Sequence, residues 1–147
     1  MTRHATTPPT GQPLVLVVCR DDDLREALLA VLDDAGCAVS PLAETPTVDT
    51  LDRPGGPASE GVYTAAIFDI GLGRPDDLAV VIPLLRLPAL RGAAVALMTS
   101  APLDRQPTWP ADTGAGRIVA LPMPFDLGNL EALVLGAPAV TTPVRAA

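Results

Sequence analysis

Short runs of almost uninterrupted apolar residues constrain the fold of this chain more than any other feature of its sequence. The three clearest runs occupy residues 14–18 (LVLVV), 65–70 (AAIFDI) and 93–98 (AAVALM). A strand with one face in water alternates apolar and polar residues, whereas a strand covered on both faces does not. The runs therefore predict strands of a parallel sheet whose two faces are both covered. Two less apolar runs, at 37–42 and 117–121, have the length of further strands.

Segments with helical patterning lie between the predicted strands. Helices are predicted over residues 24–35, 78–87 and 127–135. The first of them has an apolar face at helical spacing, with Asp22 or Asp23 as the expected N-cap and Gly36 as the residue after its C-cap. The stretches 44–61 and 101–116 take the places of a second and a fourth helix, but they are rich in Pro and Gly and are predicted to be mostly loop.

This alternation of strands and helices predicts the fold class. The chain has 147 residues, which is the length of one domain. We expect a single α/β domain over residues 13–136, with a five-stranded parallel sheet, helices on both faces, and irregular second and fourth helices. Residues 1–12 and 137–147 are predicted to be flexible tails.

The charge balance limits the classes of partner. The formal net charge is −7, and all ten basic residues are arginines. Such a chain lacks the positive surface that binds nucleic acid or an anionic membrane, so neither is an expected partner. No apolar stretch reaches the ~18–20 residues of a membrane span, and the first residues lack the apolar core of a secretory signal. We therefore expect a cytoplasmic protein in which Cys19 and Cys37 are free thiols.

Ligands of open α/β sheets bind at the carboxyl ends of the strands, so the residues at these ends are the candidates for function. They are Cys19, Arg20, Asp21, Asp69, Thr99, Ser100, Met123 and Pro124. Asp69 is the most informative, because an unpaired carboxylate within an apolar strand is costly. It requires a cation, a chemical role, or the backbone amides of the following loop as hydrogen-bond donors.

Four segments form a more specific pattern. Residues 16–26 read LVVCRDDDLRE, residues 67–73 read IFDIGLG, residues 97–101 read LMTSA, and residues 123–126 read MPFD. In order and spacing they resemble the first strand and helix, the phosphoacceptor strand, the hydroxyl-bearing strand end and the Lys-Pro-Phe segment of response-regulator receiver domains. The resemblance covers residues 13–136 and implies a flavodoxin-like fold with the strand order 2-1-3-4-5.

The resemblance also implies a chemistry. Asp69 would be the phosphoacceptor, and Thr99 would offer its hydroxyl to a phosphoryl oxygen. Phosphoryl transfer depends on concentrated positive charge, which the family supplies with Mg²⁺, held by an acidic pair after the first strand, and with a lysine after the fifth. This chain has Cys19 and Arg20 at the positions of the acidic pair and Met123 at the position of the lysine.

These departures lead to two interpretations of the site. An arginine in place of a metal ligand removes an oxygen atom and repels a cation. We therefore predict that Arg20 pairs with Asp69 in place of a metal, so that no cofactor is expected. A shifted alignment instead puts the acidic pair on Asp21 and Asp22. It leaves a weak Mg²⁺ site at Asp21, Asp69 and Gly71.

The function that these features predict is signalling rather than catalysis. The chain is expected to be a stand-alone, atypical receiver-like domain that is not an enzyme. It would act through contacts with a protein partner, such as a histidine kinase, with weak or absent Mg²⁺-dependent phosphorylation. The alternative is a phosphorylatable receiver with Asp69 as the acceptor. A more remote alternative is a small flavodoxin-like enzyme or nucleotide binder, although no glycine-rich phosphate loop follows the first strand.

Overall fold

The protein has a flavodoxin-like α/β fold. A computed structural model describes residues 13–52, 63–72, 74–100 and 113–123, together with 130, 134, 142 and 143. The parallel strands are β1 (Leu14–Val18), β2 (Ala38–Leu42), β3 (Ala65–Asp69), β4 (Ala94–Thr99) and β5 (Arg117–Pro122). They are ordered β2-β1-β3-β4-β5, which confirms the predicted topology.

One short strand extends the predicted sheet. Thr142–Pro143 forms β6, which pairs antiparallel with Val119 and Ala120 on the outer edge of β5. This pairing lies within 137–147, the segment predicted as a flexible tail. It covers part of an edge whose backbone groups would otherwise lack partners in the sheet.

The first helix, α1 (Asp22–Asp34), begins two residues before the predicted segment at 24–35. Its N-cap is Asp21, whose Oδ1 accepts a hydrogen bond from the Leu24 N–H at 3.0 Å, so the expected cap at Asp22 or Asp23 was wrong. The helix ends one residue before the predicted end, but the glycine after its C-cap was predicted correctly. Gly36 has a φ of +87° and follows the C-cap, where a positive φ favours glycine over other residues.

The other two helices, α2 and α3, differ more from the predicted segments. Helix α2 (Val48–Asp52) is a short helix in the stretch predicted as mostly loop, and its Leu51 is buried in the core. Helix α3 (Pro75–Leu85) begins three residues before the predicted segment, with a proline in its first turn and the Asp77 carboxylate accepting the Arg74 N–H. It ends two residues after Pro83, a residue that disfavours continuation of a helix.

Two predicted segments fall largely outside the described residues. Of the predicted loop at 101–116, the structure describes only 113–116. Of the predicted helix at 127–135, it describes Leu130 and Val134, which are both helical and buried. In the described part of the chain, no helix has the length and apolar character needed to cross a bilayer.

Each face of the sheet buries its own apolar cluster, as the uninterrupted apolar strands predict. Leu16, Val18 and Phe68 pack on the face that Leu51 of α2 and Leu84 of α3 cover. The alternate positions pack on the opposite face, which α1 and the helical residues Leu130 and Val134 cover. That cluster includes Val15, Val17, Cys19, Ile67, Leu28 and Leu32. Helices thus lie on both faces. Cys19 and Cys37 are buried free thiols, as expected.

Candidate functional site

The sheet register brings the sequence candidates from β1, β3 and β4 to one edge. Val18 pairs with Phe68, so Cys19 follows at the level of Asp69, and Asp69 in turn pairs with Met98. Thr99, at the end of β4, is fully buried, whereas Asp69 is partly buried. The carboxylate, the thiol and the hydroxyl therefore belong to neighbouring strand ends.

The Asp69 carboxylate is held by the loop that follows it. Its Oδ1 accepts a hydrogen bond from the Gly71 N–H at 3.0 Å. Gly71 has a φ of +55°, a left-handed conformation that turns the chain directly after β3. This is the backbone-amide partner that the sequence left open as one explanation for a carboxylate at the end of an apolar strand.

The Gly71 carbonyl holds β3 and β4 together. The Thr99 hydroxyl donates to it at 3.0 Å, and the Ser100 N–H donates to it at 2.8 Å. A carbonyl oxygen has two lone pairs, so these two donors satisfy its hydrogen-bonding capacity. The Thr99 hydroxyl is thereby directed to the backbone of the β3–α3 loop, and the Gly71 oxygen is engaged.

These contacts do not fit a Mg²⁺ ion at the three weak candidate ligands. Mg²⁺ requires oxygen ligands in near-ideal octahedral geometry. The Gly71 carbonyl is engaged by two donors, and the Asp21 carboxylate caps α1. Within the residues that the structure describes, no group of three or more His, Cys, Asp or Glu side chains is placed to hold a metal.

Arg20 does not form the predicted pair with Asp69. Its side chain is exposed, and it lines a cavity with Val80 of α3 and with Ala43, Glu44 and Thr45 after β2. Among the described residues, the one ion pair joins Arg25 to Asp22. Successive residues of a strand point to opposite faces of the sheet. Because Cys19 packs on the α1 face, Arg20 points toward the face that α3 covers.

Cys19 therefore stands beside Asp69 where the arginine was predicted. The residue is fully buried, and its thiol donates to the Asp21 carbonyl at 3.5 Å. Burial raises the pKa of the Cys19 thiol above its ordinary value, and the negative charges of Asp69 and Asp21 act in the same direction. The thiol is therefore neutral at physiological pH, which disfavours a role as a reactive thiolate.

Arg25 is the structural residue that the sequence interpretation missed. Its guanidinium donates to the Cys19 carbonyl at 2.8 Å and forms an ion pair with Asp22. The guanidinium thereby ties α1 to the end of β1. The spacing of Asp22 and Arg25 on a helix could have indicated the ion pair. The contact with the strand carbonyl has no sequence signal.

Met123 brings no charge to this edge. It is partly buried and packs against the apolar cluster on the α1 face. Its backbone N–H donates to the Thr99 carbonyl at 2.8 Å, which joins the ends of β4 and β5. A thioether cannot act as the cation that a lysine at this position would be.

A comparison with protein-family models finds no family that matches the chain, and a search of curated proteins finds no match.

Proposed function

We propose that the chain is an atypical receiver-like domain of two-component signalling. It acts in the cytoplasm through contacts with a protein partner, such as a histidine kinase, rather than as an enzyme. Mg²⁺-dependent phosphorylation of Asp69 is weak or absent. The observation that carries this proposal is the state of the Gly71 loop, which holds the Asp69 carboxylate by its amide and engages the Thr99 hydroxyl by its carbonyl.

The charges around Asp69 support the second part of the proposal. A transferred phosphoryl group has several negative oxygens, and its transfer depends on positioned positive charge. The neighbour on β1 is the neutral Cys19 thiol, and the residue after β5 is the neutral Met123. Arg25 is the nearby cation of α1, and Asp22 neutralises it. A phosphoryl group at Asp69 would therefore lack the counter-charge that receivers use.

One observation favours the alternative, a phosphorylatable receiver with Asp69 as the acceptor. Asp69 is only partly buried, so a small phosphodonor has access to it. Gly71 donates to Oδ1 of the carboxylate. The Thr99 hydroxyl lies at the next strand end, where rotation of the side chain would direct it away from Gly71.

Intact-mass spectrometry after incubation with acetyl phosphate and Mg²⁺ distinguishes the proposal from the phosphorylatable alternative. We expect no gain of a phosphoryl group in the unmodified chain, with Asp69→Asn as the control for the site. A gain that disappears in Asp69→Asn would replace the proposal with the alternative.

A restored variant tests the receiver-like relationship itself. Cys19→Asp combined with Met123→Lys returns two of the groups that the family uses for its metal and its phosphoryl group. We expect this variant to gain one phosphoryl group at Asp69 when Mg²⁺ is present, provided that circular dichroism shows it to be folded. A folded variant that stays unmodified would count against a receiver-like site.

A further inference from the structure

A cavity opens next to the candidate site, at the carboxyl ends of β1 and β2. Its volume is about 520 Å³. The described residues that line it are Arg20, Ala43, Glu44, Thr45 and Val80. The size lies within the range of about 300–1,000 Å³ that is typical of small-molecule sites. Its place, outside the carboxyl ends of parallel strands, is where open α/β sheets bind ligands.

Two opposite charges line this cavity without pairing. Arg20 and Glu44 are both exposed. The ion pair that the described residues form joins Arg25 to Asp22, so the Arg20 guanidinium and the Glu44 carboxylate are not in ion-pair contact with each other. A cation and an anion that line one cavity without an ion pair between them are complementary to a ligand that has both charges.

The cavity also has an apolar wall. Val80 is 52% exposed, and of the large apolar side chains that the structure describes, only Leu72 is as exposed. Val80 lies on the exposed side of α3 and lines the cavity together with Ala43, which follows β2. A ligand with an aliphatic group would remove this surface from water, which is favourable in proportion to the apolar area buried.

We propose that this cavity binds a small zwitterion with an apolar side chain, of the chemical class of the aliphatic amino acids. Arg20 binds the carboxylate, Glu44 binds the ammonium group, and Val80 with Ala43 contacts the aliphatic part. The Thr45 hydroxyl, which can donate and accept, is available to either polar group. This site goes beyond the proposed function, because it uses neither Asp69 nor its phosphorylation.

Titration of the ¹⁵N-labelled full chain with L-leucine tests the proposal by NMR. We expect saturable shifts of the amides around Arg20, Glu44 and Val80, with a dissociation constant of about 1 mM because the site is open to water. Leucinamide lacks the carboxylate and 4-methylpentanoate lacks the ammonium group. Each should bind more weakly, by about threefold to fivefold, since an exposed charge contact contributes that much.

Charge-removing variants assign the two ends of the ligand. Arg20→Gln should weaken L-leucine binding by about threefold to fivefold and abolish the preference over leucinamide, and Glu44→Gln should do the same relative to 4-methylpentanoate. Arg91→Gln and Glu26→Gln change exposed charges outside the cavity and should leave binding unchanged.

The absence of saturable shifts with L-leucine would overturn the proposal, as would equal binding of all three compounds or unaltered binding in both cavity variants. If the amides respond only to a protein partner, the surface is a protein-docking site and the proposal is wrong. The phosphorylation assay on Asp69 is unaffected by any of these results.

Discussion

The two halves of the carboxyl edge of the sheet are held together in different ways. At the ends of β3 and β4, hydrogen bonds converge on Gly71, which donates to Asp69 and accepts from Thr99 and Ser100. At the end of β1, side chains of the following turn and helix hold the backbone, with Asp21 as the N-cap of α1 and Arg25 bound to the Cys19 carbonyl. In the first half the polar side chains of the strand ends make these contacts, whereas in the second half the residues that follow the strand make them.

This difference shows which structural requirement a strand end must meet before its side chains can have a function. Backbone groups at the edge of a buried sheet must have hydrogen-bond partners, whichever side chains are present. At β3 and β4 the polar side chains meet this requirement themselves. At the end of β1, Arg25 meets it by donating to the Cys19 carbonyl, so the side chain beside Asp69 can be a neutral thiol without loss of the fold. Four predictions test this division of roles.

The largest effect is expected at Arg25, whose guanidinium holds the end of β1. Arg25→Met keeps the apolar stem but removes the donor to the Cys19 carbonyl, so the free energy of unfolding should fall by about 2 kcal/mol, the cost of an unpaired buried acceptor. Arg20→Met is the matched control at an exposed position, and it should change stability by less than about 0.5 kcal/mol. Urea unfolding measures both, and equal effects would show that Arg25 does not support the strand.

The cap of α1 should have the next largest effect. Asp21→Ala removes the acceptor for the Leu24 N–H, and the expected loss is about 1 kcal/mol. Asp23→Ala removes a charge of the same sign from the first turn but no capping hydrogen bond. It should lower stability less, by about 0.3–0.5 kcal/mol through the helix dipole. A larger loss in Asp23→Ala would mean that the cap lies where the sequence first suggested.

These two comparisons also show where the sequence was sufficient. The apolar runs predicted β1 at its observed bounds and β3 within one residue, because burial on both faces leaves a long, local signal. The start of α1 was misplaced because Asp21, Asp22 and Asp23 are identical in type, and one hydrogen bond distinguishes the cap. The prediction for Arg20 was wrong because the two-residue strand period places Cys19, and not Arg20, beside Asp69.

The contacts of Gly71 could not be predicted at all. The Thr99 hydroxyl and the Gly71 carbonyl are 28 residues apart in the chain, and neither has a pattern that indicates the other. The same is true of the Arg25 contact with a strand carbonyl. A hydrogen bond from a side chain to the backbone of another element depends on how the two elements pack in three dimensions. Apolar periodicity, in contrast, can be recognised within the sequence of a single element.

The hydrogen bond from Thr99 to Gly71 should have a smaller effect than either change at β1. Thr99→Val keeps the shape of the side chain and removes the hydroxyl, while the Ser100 N–H still satisfies the carbonyl. The expected loss is therefore about 0.5–1 kcal/mol. Ser100 is exposed and contacts Gly71 through its backbone amide, which Ser100→Ala keeps. The free energy of unfolding of this variant in urea should therefore be unchanged. A loss of several kcal/mol in Thr99→Val would indicate that the hydroxyl alone holds the β3–α3 loop.

The smallest effect concerns the electrostatic coupling between the two halves, in which the charge of Asp69 raises the pKa of the Cys19 thiol. The thiol has an ordinary pKa of 9.0, and burial raises the pKa in the folded protein, assisted by Asp69 and Asp21. At neutral pH both folded and unfolded chains keep the thiol proton, so stability does not depend on it. As pH rises past 9.0, the unfolded chain releases the proton first, and stability falls until the folded pKa is reached.

Asp69→Asn removes one cause of the raised pKa of Cys19, so the thiol should ionise at lower pH and this loss of stability should become smaller. Thiolate absorbance and urea unfolding in a Cys37→Ala background measure the two quantities for Cys19 alone. An unchanged Cys19 titration in Asp69→Asn would show that the thiol and the carboxylate are not coupled, and that the two halves of the edge are electrostatically independent.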